Sequence, residues 1–228
     1  MAEKLPVIID NRGDNKVLHA LQRLLPNLQR MDIATGVFEI GSFLLLEGLW
    51  QDLERIRILM GDETTRRTKR EIIQALLQIS NDSIEREKER DDALTGLAAV
   101  REAIAAKQIE MKIYSKAKFH AKSYLMESKE TSPVDFAIVG SSNFTKPGLT
   151  ENVELNLFST DQAHIENLRD WYNELWKEGE EVREEILKVI EPHLKEYDPF
   201  TIYTKALYEF FAGKEKTQDD WHSARTGG

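Results

Sequence analysis

The sequence contains no cysteine. That excludes disulfide bridges, thiolate zinc sites and a cysteine nucleophile, and it fits a reducing compartment. Long apolar runs are also missing: the longest, around residues 43–46, is far too short to cross a membrane. The stretch MAEKLPVIIDNRGDNK lacks the apolar segment of a secretory signal. The expectation is a soluble, cytoplasmic protein with no membrane partner. Positive charge is in deficit, with 31 Lys and Arg against 40 Asp and Glu and a net charge of −9. Phosphate affinity comes mainly from Lys and Arg, so this balance argues mildly against broad nucleic-acid contact. It does not describe local patches. No GxxxxGKS/T loop occurs, because Gly213-Lys214 is followed by Glu215; the chain is not an ATPase by itself. Neither an internal repeat nor a low-complexity tract is present.

What is present suffices for one sizeable core and an extension, at 228 residues and 41% hydrophobic content. Residues 15–29 carry Val17, Leu18, Leu21, Leu24, Leu25 and Leu28 at helical spacing. Residues 31–40 (MDIATGVFEI) read as a strand. Ser42 is a plausible N-cap for a helix over 43–53. Residues 55–60 (RIRILM) alternate and end at Gly61, as a strand should. Helices are expected over 64–80 and 93–107, separated by a charged stretch, 82–92, read as a solvated face or linker. Strands are expected over 109–115, 118–126, 134–139 and 152–159, then a helix over 161–177 opened by Thr160 or Asp161. Interleaved strands and helices indicate an α/β layered domain with a mixed sheet. The expected division is 1–179 for that domain and 180–228 for a helical extension and polar tail, the latter a possible linker to an absent domain.

The chemistry concentrates in two short segments. His120 and Lys122 are two residues apart, so on a strand they would share one face. Two basic groups side by side repel unless an anion or a carboxylate lies between them. Gly140-Ser141-Ser142-Asn143 follows directly after an apolar strand. A small Gly-Ser pair there lets donors approach a bound phosphate.

HxK followed by GSxN resembles the catalytic motif of the phospholipase D superfamily. The likeness continues through Phe144-Thr145, Gly148-Leu149, Asn152 and Glu154, the last eleven residues past Asn143, where the family often has a carboxylate. It departs at Glu127, where the motif has Asp, and in a longer Lys122–Gly140 spacing, which a polar hairpin loop over 127–133 absorbs at little cost.

The resemblance implies a phospholipase D-like layered fold and metal-independent phosphodiester cleavage with no cofactor. Catalytic roles would fall to His120, Lys122, Asn143 and Glu154. His120 would attack phosphorus, and Lys122, Ser141 and Asn143 would hold phosphate oxygens. Glu154 would orient an imidazole. A second histidine must protonate the leaving oxygen, and only one motif is present, so a homodimer pairing two copies of His120 is implied. No His or carboxylate cluster has clear metal-ligand spacing. The small one-motif domain is similar to the nuclease branch, acting on nucleic acid, DNA first. The segments ATGVFEIGSF, RIRILMG and DPFTIYTKALYEFF resemble the N-terminal nuclease-like domain of Swi/Snf-type helicases, which would make a helicase motor a partner. The alternative is a catalytically silent DNA-binding or dimerisation module.

Overall fold

Alternate residues along the central strands serve two different apolar layers, and this parity organises the molecule. In the computed structural model the described residues are 5–46, 48–61, 69–88, 94–131 and 134–194. The chain divides after Leu194 into two compact units, and the second lies outside the described residues. So does the stretch DPFTIYTKALYEFF.

Eight strands form one mixed sheet: β1 (Ile8–Ile9), β2 (Leu28–Thr35), β3 (Arg55–Met60), β4 (Ile109–Ile113), β5 (Ser123–Ser128), β6 (Phe136–Gly140), β7 (Asn156–Ser159) and β8 (Glu180–Glu181). Their spatial order is β1-β7-β6-β5-β2-β3-β4-β8. The trio β2, β3 and β4 is parallel. All other pairings are antiparallel. Both edges are only two residues long, which leaves little bare ladder for another chain to pair with. The central strands are buried almost throughout, five of six residues in β3, because helices cover both faces.

Seven helices are described: α1 (Val17–Leu24), α2 (Gly41–Leu44), α3 (Lys69–Lys88), α4 (Leu94–Ala105), α5 (Lys146–Thr150), α6 (Gln162–Glu178) and α7 (Arg183–Leu194). On one face of the sheet Met31, Ile33, Ile56, Ile58, Met111, Tyr124 and Ile138 join a large core with α1, α4 and α7. On the other, Ala34, Leu59, Leu125 and Ala137 meet Ile165 and Tyr172 of α6. Asp161 caps α6, its carboxylate accepting from His164 N at 3.1 Å. Residues 180–194, placed with the extension on sequence, add β8 to the sheet and α7 to the main core. Val182, Ile186 and Ile190 have no exposure, each contributing about 1.5–3 kcal/mol of burial.

Several elements differ from expectation, among them the strand over 152–159, which begins only at Asn156. The first helix stops at Leu24 and tightens into a 3-10 turn at Leu25-Pro26-Asn27, where proline supplies no N–H to continue it. Residues 36–40 leave the sheet. Ser42 does not cap: it lies inside the four-residue α2, fully buried. Successive tight turns through Trp50 bury Phe43, Leu46, Trp50 and Leu53 instead. Finally, α3 runs on to Lys88, so 82–88 of the charged stretch is helical, with Ser83 and Ile84 facing inward. Residues 64–68 and 89–92 lie outside the described residues.

Candidate active site

Topology brings the motif residues to one end of the sheet. The C-terminal ends of β2 and β6 and the N-terminal ends of β5 and β7 lie together there, as antiparallel pairing of these strands requires. His120 and Lys122 are not in a strand, because β5 begins at Ser123. The approach is held by Phe119, whose ring stacks on Trp171 at 6.4 Å and tilts against Tyr114 at 5.7 Å. Gly61 makes room for it: a Cβ there would stand 2.8 Å from the Phe119 carbonyl oxygen. Lys122 O still accepts from Gly140 N at 3.1 Å. The two basic side chains then part company. His120 is exposed, whereas Lys122 is 6% exposed and its Nζ donates to His120 O at 3.1 Å. A buried ammonium needs such acceptors.

The Gly140–Asn143 loop is locked from below. A Cβ on Gly140 would stand 2.6 Å from both the Asn156 Cα and its Oδ1, so only glycine passes. Ser142 is fully buried. Its N donates to Asn156 Oδ1 (3.2 Å), its Oγ accepts from Asn156 Nδ2 (2.9 Å), and its carbonyl accepts from Tyr124 OH (3.0 Å). Asn156 Nδ2 also donates to Ile9 O at 3.1 Å. With every polar group of Ser142 engaged inward, its neighbour Ser141 faces out. Burial first, and then the Glu154 carboxylate, push the Tyr124 hydroxyl far above the usual tyrosine range; it serves as a neutral donor.

Ser141 and Glu154 form a pair. The Ser141 hydroxyl donates to the Glu154 carboxylate and accepts from Leu155 N at 3.0 Å, while Asn152 Nδ2 reaches Glu154 Oε1 at 3.3 Å. A hydroxyl has one proton; here it is directed to Glu154. Glu154, expected to orient an imidazole, also holds the Ser141 loop.

Asn143 is fixed differently. Its Oδ1 accepts from Gly36 N and Val37 N, both at 3.0 Å, and lies 3.2 Å from Thr35 Oγ1. Next door, Phe144 is fully buried, 5.2 Å from Phe43, 6.0 Å from Phe38 and 6.3 Å from Tyr124 between ring centres. The motif's last residue is thereby bolted to the main core.

Sequence reasoning missed Thr35, Tyr124, Phe119 and Asn156. Asn156 alone left a signal, as a polar residue at an inward position of a strand. Among the described residues, no three His, Asp or Glu side chains gather as a metal site requires, and no helix is long and apolar enough to cross a membrane.

Comparison with known proteins agrees with this geometry. Residues 28–176 match the family described as "Cardiolipin synthase, PLD-like domain". No curated protein sequence matches the chain. Among solved structures, phosphatidylserine synthase from Haemophilus influenzae Rd KW20 is similar at 12% identity and a TM-score of 0.51, over 93% of this chain and 47% of that one. Nuc from Salmonella typhimurium, a phospholipase D family member, gives 15% identity and a TM-score of 0.44, over 72% and 89% of the two chains. NucT from Helicobacter pylori gives 13% and 0.43, over 73% and 91%. With its family match spanning most of the described sheet and the HxK and GSxN segments meeting at one sheet end, the chain belongs to the phospholipase D superfamily, as a PLD-like domain.

Proposed function

We propose that this domain is a metal-independent phosphodiesterase that cleaves nucleic acid, DNA first, through a covalent phosphohistidine on His120. The observation that carries the reading is that the exposed His120, the buried Lys122 and Asn143 gather at the same end of the sheet. Neutral imidazole attacks phosphorus as the substrate P–O bond breaks. The Lys122 ammonium and the Asn143 amide nitrogen hold the equatorial oxygens, whose charge grows in the transition state. A second imidazole protonates the leaving oxygen, and water then cleaves the phosphohistidine. In a chain of net −9, Lys118 and Lys122 place positive charge on the approach to the site, which favours a polyanion over a single phosphodiester.

The second imidazole comes from a second copy of the chain. Ile8 and Leu157 pair across β1 and β7, and Leu157 pairs with Val139, all on the α6 side of the sheet. There Ile8, Leu157, Leu155 and Val153 are 45–79% exposed. This apolar strip adjoins Glu154 and suits a subunit interface. Cleavage of single-stranded DNA in excess EDTA, abolished in His120→Ala, is the expected result. Restoration by magnesium after loss in EDTA would reject the mechanism. Light scattering should give twice the monomer mass, and Leu155→Asp with Leu157→Asp should halve it. An active monomer would reject the shared site. Monomers that bind anionic vesicles through the strip would replace the dimer by a lipid surface. The acidic net charge favours a second reading, a silent docking module: DNA binding without turnover, unchanged in His120→Ala, would establish it.

A further inference from the structure

An asparagine amide can serve a phosphate only through its nitrogen end, since its oxygen would face the phosphate's own negative charge. Which end points outward is therefore a matter of chemistry. In this protein it is settled by a turn 107 residues earlier in the chain. Gly36 N and Val37 N, consecutive backbone donors, both point at Asn143 Oδ1. Such a pair of N–H groups makes a small anion-seeking nest, here filled by a side-chain carbonyl. Thr35 closes it. The threonine is wholly buried, and its Oγ1 accepts from Phe144 N at 2.9 Å. Its one proton is shared between Val37 O at 2.5 Å, which shapes the turn, and Asn143 Oδ1 at 3.2 Å. A single hydroxyl thus ties the turn after β2 to both ends of the Asn143-Phe144 peptide.

We infer that Thr35, with the Gly36-Val37 nest, is the positioning residue that holds the Asn143 amide nitrogen toward the substrate phosphate. The inference rests on the proposed phosphodiesterase reading for its kinetic consequence, but not for its geometry. Thr35→Val keeps the branched shape and removes the hydroxyl, so the Phe144 N–H loses its acceptor and the nest loses its third member. Asn143 can then rotate about χ2 and present oxygen to the phosphate for part of the time. Thr35 touches no substrate, so the loss should be smaller than that of deleting a donor outright.

The test compares the parent, Thr35→Val and Thr35→Ser on bis(p-nitrophenyl) phosphate, with inhibition by orthovanadate measured alongside. Thr35→Val should lower kcat by about 10-fold to ~10²-fold, with KM changed far less, and weaken vanadate inhibition in parallel. Thr35→Ser, which keeps the hydroxyl, should restore both. A purely structural role would lower Tm while leaving kcat per folded molecule and vanadate affinity unchanged, and that result would overturn the inference, as would failure of serine to rescue. The side-chain amide signal of Asn143, assigned through Asn143→Asp, gives an activity-independent arm. Its {1H}–15N NOE should be that of a rigid group in the parent and in Thr35→Ser, and fall to the value of exposed asparagines in Thr35→Val. If the parent shows no turnover, the functional reading fails and this measurement still decides the clamp: an unchanged NOE in Thr35→Val rejects it.

Discussion

Asp32→Asn should be among the most damaging single substitutions in the sheet, at about 3 kcal/mol, because it strands a buried cation. Arg57 meets the two carboxylate oxygens of Asp32 through Nε at 2.6 Å and Nη2 at 2.5 Å. Each residue is 9% exposed. Burial by itself would lower the Arg57 pKa, but the hydrogen bonds and charge of Asp32 outweigh it and raise the pKa above the ordinary arginine value. An arginine guanidinium does not deprotonate in proteins, so it stays charged when its partner is changed. Asparagine would offer one oxygen and one NH2, and the NH2 would face a donor. Removing one member of a buried pair costs roughly 3–5 kcal/mol. The low end applies here because Arg57 keeps Asn173 Oδ1 at 2.9 Å and the rings of Tyr172 and Trp176 at 5.1 and 5.3 Å, the ring contacts worth about 2 kcal/mol when desolvated. The double change Asp32→Leu, Arg57→Met should sit within about 1 kcal/mol of the parent, since Leu59, Leu125 and Ile165 already make this layer apolar. Urea unfolding followed by circular dichroism reads both, as a midpoint shift of about 1 M or more for the single variant. A single variant within 1 kcal/mol of the parent, or a double variant as unstable as the single, would refute the account.

Other expectations concern the site. Asn143→Asp satisfies the donors of Thr35, Gly36 and Val37 with a carboxylate, so Tm should hold or rise; its second oxygen replaces an outward donor, so kcat/KM should fall by ~10² or more, and near-parent activity would remove Asn143 from phosphate binding. Phe144→Ala empties a fully buried aromatic site and should cost about 3–5 kcal/mol, read by thermal unfolding. A cost below 1 kcal/mol would mean the Phe38, Phe43 and Tyr124 contacts do not anchor the loop.

Much of the fold was legible because local pattern and tertiary need agreed. The strand over 55–60 was placed to the residue, and Asp161 opened its helix as a capping residue should. Reading failed where a tertiary demand overrode the pattern. Val37, Phe38 and Ile40 continue the β-branched and apolar run of β2, yet the chain turns away at Gly36 and the N–H groups of Gly36 and Val37 reach Asn143. The His120 segment looked like strand, but Phe119 is diverted across the end of β3 through the gap left at Gly61. The motif segments themselves were legible through their resemblance to the family's HxK and GSxN pattern. The support of Asn143 was not, because Thr35 reaches it across 108 residues and carries no pattern of its own.

The sheet order also constrains how the protein reaches its working state. Strands β5, β6 and β7 follow one another as a meander whose connections, 129–135 and 141–155, stay local in sequence, whereas β2 sits between β5 and β3 with Ala34 opposite Ser123, 89 residues away. Closing such a loop costs about 4 kcal/mol in chain entropy before any contact rewards it. A refolding chain can therefore assemble the meander, with Gly140 to Asn143 in place, before the strand that orients Asn143 has arrived. Under the proposed function, enzymatic competence would then lag secondary structure, and the onset of activity would mark the slow, non-local step of folding.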